Sequence, residues 1–238
     1  MTSRDVSADD DLALLDRWSG GDEASGKLLL KRYFDVLYRF FANKISSDAD
    51  DLVQQTMMAL LAARDRFEAR STFRAYLLSI ARFQLYEHLR RRKRATAMFE
   101  YDTVTAFDLD PSPSTRAAEK RDHELLLGAL RRIPLNFQIA LELHYWEDLS
   151  GPELAQVLGV PVDTAYSRVR KARELVRRQL KILSAIPGRS SSPPPLSNVS
   201  ANANSTANPT ASAIEGDDSE EEEEDSFLDD SLKSAGRG

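Results

Sequence analysis

The chain has 238 residues, 42% hydrophobic and 29% charged, with a formal net charge of -6 and no cysteine. A chain of that size holds one or two small cores, and without Cys it has neither disulfides nor thiolate chemistry, which is compatible with a reducing cytoplasm. The longest apolar runs, such as "MMALLAA", fall far short of the ~20 residues a bilayer requires, so no membrane insertion is expected, and the acidic start "MTSRDVSADDD" is unlike a secretory signal.

In chain order, "DDLALLDRW", "EASGKLLLKRYFDVLYRFFANKI", "DADDLVQQTMMALLAARDRF" and "STFRAYLLSIARFQLYEHLRRRKR" repeat apolar residues every three or four positions behind acidic or hydroxyl starts. That spacing predicts helices and no strands, forming a first domain over 10–95. Residues 96–118 lose the period and contain Pro111 and Pro113, as a linker does. Helical spacing returns in "EKRDHELLLGALRRI" and "LNFQIALELHYW" and continues to the end of a second domain over 119–186. Beyond Pro187 the composition falls to Ser, Pro, Asn and Ala, then to "EGDDSEEEEEDSFLDDSL". Such a segment has too little apolar surface to offset chain entropy, so 187–238 is expected to be a disordered acidic tail. The predicted fold is all-α: two small helical domains on a flexible linker, followed by that tail.

Charge is segregated along the chain. The last fifty residues net -8, leaving +2 on everything before them.

Within the second domain, Ser150 and Glu153 have the spacing of a capping box, with Pro152 in the first turn where its missing N–H costs nothing. Gly159 suits the left-handed end of that helix and Pro161 the start of the next. Two helices about a tight glycine turn, with Leu154, Ala155, Leu158, Val160 and Val162 apolar or small, define a helix-turn-helix. On the second helix Ala165, Val169, Ala172, Val176 and Leu180 share one stripe, while Ser167, Arg170, Lys171, Arg178 and Lys181 lie opposite. Residues 168–181 hold seven basic residues against Glu174 alone. Helices with that much like charge are usually solvated, but together with the motif it points to a polyanion, and DNA is the natural partner. In major-groove docking the helix N-terminus reads base edges, which selects Asp163, Thr164, Ser167, Arg168, Arg170 and Lys171. Arg177, Arg178 and Lys181 are placed for phosphates.

In the first domain, Leu52, Val53, Met57, Leu60 and Leu61 take the apolar side of their helix, and Asp51, Gln54, Gln55 and Met58 the other. An exposed Met among amides suits a protein contact as well as plain solvent. Phe67, Phe73, Tyr76, Phe83 and Tyr86 stand beside Arg70, Arg74 and Arg82, a mixture that serves unstacked bases, although a core role fits most of these rings too. Arg90, Arg91 and Arg92 belong to a run of five cations, more than a helix C-terminus needs, and favour phosphate contact.

The blocks "DADDLVQQTM", "STFRAYLLSIARFQLYEHLRRRKR" and "ALELHYWEDLSGPELAQVLGVPVDTAYSRVRKAREL" resemble, in that order, the second and fourth regions of the extracytoplasmic-function (group IV) sigma factors of bacterial RNA polymerase. The resemblance covers residues 10–184. It implies that Asp51, Gln54, Gln55 and Met58 dock on the polymerase clamp, and that core polymerase (clamp and flap) and promoter DNA are partners. It implies that the loop Glu68 to Thr72, with Arg70 and Ser71, and the helix from Arg74 through His88 open the minus-ten element and hold a flipped base. The second domain would read the minus-thirty-five element, and an anti-sigma protein is a candidate partner. Phe83 stands where the family usually carries Asn, Tyr76 where it carries Trp, and Gln55 where it carries Glu.

Other classes explain less. His88, His123 and His144 are scattered without metal-ligand spacing, and neither a Gly-rich phosphate loop nor a nucleophile elbow is present, so neither an enzyme nor a cofactor is expected. A helix-turn-helix regulator that ignores core polymerase accounts for 119–184 but not for the "DADDLVQQTM" face. An adaptor whose acidic tail is the active part would show no promoter-dependent activity. For the tail three roles stay open: folding back on the basic helix, docking a separate regulator through Phe227, Leu228 and Leu232, or solubility.

Overall fold

The computed structural model describes residues 3–64, 67, 71–93, 104–109, 121–185 and 228–236. Among them all regular structure is helical apart from one isolated bridge, Thr105 to Pro134. The first group comprises α1 (Ser3–Ser19), α2 (Glu23–Ala42), α3 (Ala49–Ala63) and α4 (Phe73–Lys93). α1 starts well before Asp10, where the apolar spacing placed it. α2 begins at Asp22, whose carboxylate accepts from the amides of Ala24 at 3.0 Å and Ser25 at 3.3 Å, satisfying donors that a helix start leaves free. Leu29, Tyr33, Leu37 and Phe41 recur at four-residue spacing along it and are fully buried, meeting Leu52 and Leu60 of α3 and Phe73, Leu77 and Leu85 of α4. Leu61, expected on the apolar side of α3, is 40% exposed, while Thr56 is buried with its hydroxyl donating to the Leu52 carbonyl at 2.7 Å.

The second group comprises α6 (Arg121–Leu130), α7 (Leu135–Tyr145), α8 (Gly151–Leu158) and α9 (Val162–Ser184). α7 is almost wholly buried and α9 packs across α6, α7 and α8. Part of the expected linker is ordered on this group. Leu135 N donates to Val104 O and Phe107 N to Arg131 O, both at 2.9 Å, and α5 (Ala106–Leu109) buries Ala106 there.

The two groups pack on one another, α4 against α8. Lys44 and Glu142 form a buried ion pair across the seam, Arg39 pairs with Glu147 at 2.6 Å, and Arg74 donates to the Glu147 carbonyl at 3.1 Å. The end of the tail also departs from expectation: residues 228–235 form a helix, α10, seated on both groups. Its order has a local cause, since Leu228, Leu232 and Ala235 fall on one face at helical spacing and are 2%, 1% and 6% exposed. The acidic run before it and Phe227 lie outside the described residues. No described helix is long and apolar enough to cross a membrane.

Candidate nucleic-acid and polymerase interfaces

α8 starts at Ser150 in a capping box, with Glu153 Oε2 accepting from the Ser150 amide at 2.8 Å. It ends at Gly159, which sits at φ 66° and ψ 39° while Val160 N donates back to the Ala155 carbonyl at 3.1 Å. That left-handed turn fixes the angle at which α9 leaves. Ala165, Val169, Ala172 and Val176 are buried as the helical wheel requires, Leu180 is half-buried, and Val162 is 39% exposed. Asp163, Ser167, Arg170, Lys171 and Arg178 face solvent, and Thr164 and Arg168 are half-buried at the edge of the stripe. On the basic face Lys171 Nζ donates to both Glu174 carboxylate oxygens at 2.9 and 2.8 Å, which holds that carboxyl below its usual range. Arg173, on the flank, pairs with Asp229 of α10 at 3.3 Å.

In the first group Asp51, Gln54, Gln55 and Met58 are all exposed on one side of α3, Met58 at 61%. Phe83 is also 61% exposed, whereas Phe73 is buried and Phe67, Tyr76 and Tyr86 are packed against the core. Phe67 meets Tyr76 at 4.9 Å and Phe73 at 6.3 Å between ring centroids, and of the five rings Phe83 is the one that projects. Arg82 stacks on Tyr86 at 4.6 Å. Arg90, Arg91 and Arg92 are exposed, Arg90 paired with Glu87 at 2.7 Å and Arg92 with Asp48 at 3.2 Å. Arg70 lies outside the described residues.

Ser71, Thr72 and Arg74 were expected on a DNA-facing surface, and here they are half-buried. Thr72 accepts from the Ala75 amide at 3.3 Å, capping α4, and donates to Glu153 Oε1 at 2.5 Å, so the caps of α4 and α8 are tied together. Arg74 is directed to the Glu147 carbonyl. Packing of the second group covers this part of the first. The residues of that seam, Lys44, Arg39, Glu142 and Glu147, are singled out by no motif in the sequence. Their signal was a lone charge inside an apolar run, Lys44 after "RFFAN" and Glu142 in "IALELHYW". Among the described residues, no cluster of His, Asp and Glu is arranged to hold a metal.

Residues 27–95 match the family described as Sigma-70 region 2, and residues 123–176 match Sigma-70, region 4. The chain is 26% identical over 182 residues to the ECF RNA polymerase sigma-E factor of Haemophilus influenzae, covering 73% of this chain and 96% of the relative. To the sigma-E factor of Escherichia coli K12 it is 25% identical over 182 residues, covering 73% and 95%. Among solved structures it resembles the sigma factor RpoE bound to the anti-sigma factor NepR from Bartonella quintana, with TM-score 0.52, 25% identity and coverage of 66% of this chain and 96% of that one. The fold also matches CnrH in complex with the cytosolic domain of CnrY, with TM-score 0.53, 22% identity and coverage of 73% and 98%. The helix-turn-helix and the matches to regions 2 and 4 define a sigma factor of RNA polymerase. More narrowly, the chain belongs to the extracytoplasmic-function sigma family, non-catalytic initiation factors whose domains bind core polymerase and promoter DNA.

Proposed function

We propose that this sigma factor works in the cytoplasm with three divided surfaces. Residues 10–95 form the polymerase- and minus-ten-binding domain, 96–118 the linker and 119–186 the minus-thirty-five domain. The α3 face of Asp51, Gln54, Gln55 and Met58 docks on the polymerase clamp, and the second domain approaches the flap. Arg70, Ser71, Thr72, Arg74 and Phe83 melt the minus-ten element, with Phe83 offering a ring for an unstacked base and Arg90, Arg91 and Arg92 holding phosphates upstream. Asp163, Thr164, Ser167, Arg168, Arg170 and Lys171 read the minus-thirty-five element from the N-terminal half of α9, and Arg178 meets backbone.

The observation that carries this reading is α9 itself. One stripe is buried, Ser167, Arg170 and Lys171 face solvent, and Thr164 and Arg168 flank the stripe, all behind a left-handed glycine turn. The solved sigma factor RpoE bound to the anti-sigma factor NepR supports an anti-sigma protein as a further partner. Run-off transcription with core polymerase on genomic fragments tests the proposal. Discrete transcripts that require this factor are expected. Core polymerase that neither binds the factor nor initiates with it would reject the reading in favour of a stand-alone helix-turn-helix regulator.

A further inference from the structure

Where the two groups meet they form a groove walled by Arg39 of α2, Tyr145 and Trp146 at the end of α7, and Arg173 of α9. α10 fills it. Asp229 Oδ1 accepts from the Tyr145 hydroxyl at 2.7 Å and pairs with Arg173. The Leu232 carbonyl accepts from Trp146 Nε1, and the Gly236 carbonyl from Arg39 Nη1, each at 2.8 Å.

The groove suits this particular helix end. Carbonyls of a last turn lack partners inside a helix, and here an indole N–H and a guanidinium supply them, the latter also matching the negative end of the helix dipole. Gly236 lies flush on Trp146, so that a Cβ at that position would collide with the indole. Arg39 holds the Gly236 carbonyl with one nitrogen and Glu147 with the other, so the same side chain joins α10, the first group and the second.

We propose that α10 is a clasp in cis, which docks in the interdomain groove and holds the factor closed. The inference rests on the two-element promoter reading above. Elements centred ten and thirty-five pairs upstream lie ~85 Å apart at ~3.4 Å per base pair. In the closed form Thr72 and Glu153 touch, at 2.5 Å, so the two reading surfaces cannot occupy both elements at once. The groups must part, and α10 bonds to both.

The full chain lacks cysteine, so Leu28→Cys in α2 and Ile182→Cys in α9, both exposed and outside the proposed contacts, accept a fluorophore pair reporting the distance between groups. The clasp is released in the full chain by Leu228→Asp with Leu232→Asp, and separately by Gly236→Val, which leaves the apolar face of α10 intact. Both variants should lower transfer efficiency, and a synthetic peptide of residues 226–236 should restore it. If about one-tenth of the wild-type factor is open, release should tighten core-polymerase binding by up to about tenfold. Unchanged transfer in both variants would overturn the proposal, as would weaker polymerase binding in the released forms. Release and peptide reclosure in a protein that starts no transcript would uphold the clasp and reject the two-element promoter reading instead.

Discussion

Lys44 and Glu142, 98 positions apart and 0% and 2% exposed at the side chain, form an ion pair sealed between the two helical groups. The ammonium also donates to the Phe40 carbonyl at 2.6 Å and lies 4.0 Å from the Phe40 ring centroid, while the carboxylate accepts from Gln138 Nε2 at 2.8 Å. Burial pushes the lysine down and the glutamate up, and each partner's charge pulls the other back. Removing one member of such a pair costs ~3–5 kcal/mol when the other charge is trapped. Here the orphan can regain water if the groups part. Lys44→Ala should therefore open the molecule rather than unfold it, seen as a larger radius of gyration in small-angle scattering with helical content retained. Lys44→Met with Glu142→Leu should stay compact. An unchanged radius in Lys44→Ala would show that the pair does not hold the seam.

On α9, Arg170→Glu and Lys171→Glu should each weaken binding to the minus-thirty-five element by ~1–3 kcal/mol, the value of a good base contact, and leave core-polymerase binding intact. Footprinting on a cognate promoter decides this, and normal occupancy in both variants would refute the assignment. Arg178→Ala should behave differently, lowering affinity for every sequence alike and reducing the salt slope by ~0.9 as one phosphate contact is lost.

The α3 face can be tested without DNA. Replacing Gln54 and Met58 together by Lys should weaken binding to core polymerase at unchanged circular dichroism, because both residues are exposed. Equal affinity would mean that polymerase uses another surface.

Gly159 holds the turn of the helix-turn-helix at positive φ. An alanine there should cost ~1–2 kcal/mol, and asparagine, which tolerates the left-handed region, should cost less. Urea titration of the two variants gives the comparison, and an Ala variant as stable as the parent would contradict the strain.

Acid should weaken the second group through His144. Burial holds its pKa below the ordinary 6.5, with a backbone hydrogen bond at Leu149 and the carboxylates of Asp229 and Asp148 pulling the other way. A histidine depressed in the folded state gives stability that is complete above the unfolded pKa and is lost as pH falls through the folded one. Melting temperature should thus decline below about pH 6.5, and His144→Gln should flatten that part of the curve. Parallel curves for parent and variant would assign the acid sensitivity elsewhere.

Local features were legible because their causes are local. The α9 stripe, the Ser150–Glu153 cap and the Gly159 turn each follow from a few neighbouring residues, and the structure places them as the spacing requires. Leu61 misled because a residue at the edge of an apolar arc is buried only if another element covers it. Lys44 and Glu142 were illegible for a different reason: no periodic rule pairs side chains from separate groups, and only their isolation inside apolar runs marked them. α10 was half hidden by averaging: the segment after Pro187 reads as tail, and although Leu228 and Leu232 stand out in it as a docking pair, no local rule names the groove beside Tyr145 and Trp146 that receives them.

The position of α10 in the chain also sets an order of events. Its first described residue, Leu228, follows Ala185 at the end of α9 after 42 intervening residues. At ~5–20 residues per second, ribosomes need about 2–8 s to add them. During that interval both helical groups have been synthesised and α10 has not. Newly made factor should accordingly capture polymerase better when the enzyme is present during translation than when it is added afterwards, a difference that Gly236→Val should erase. Activity would then follow the rate of synthesis more closely than the standing amount, and each molecule would carry a timer set by the length of its own tail.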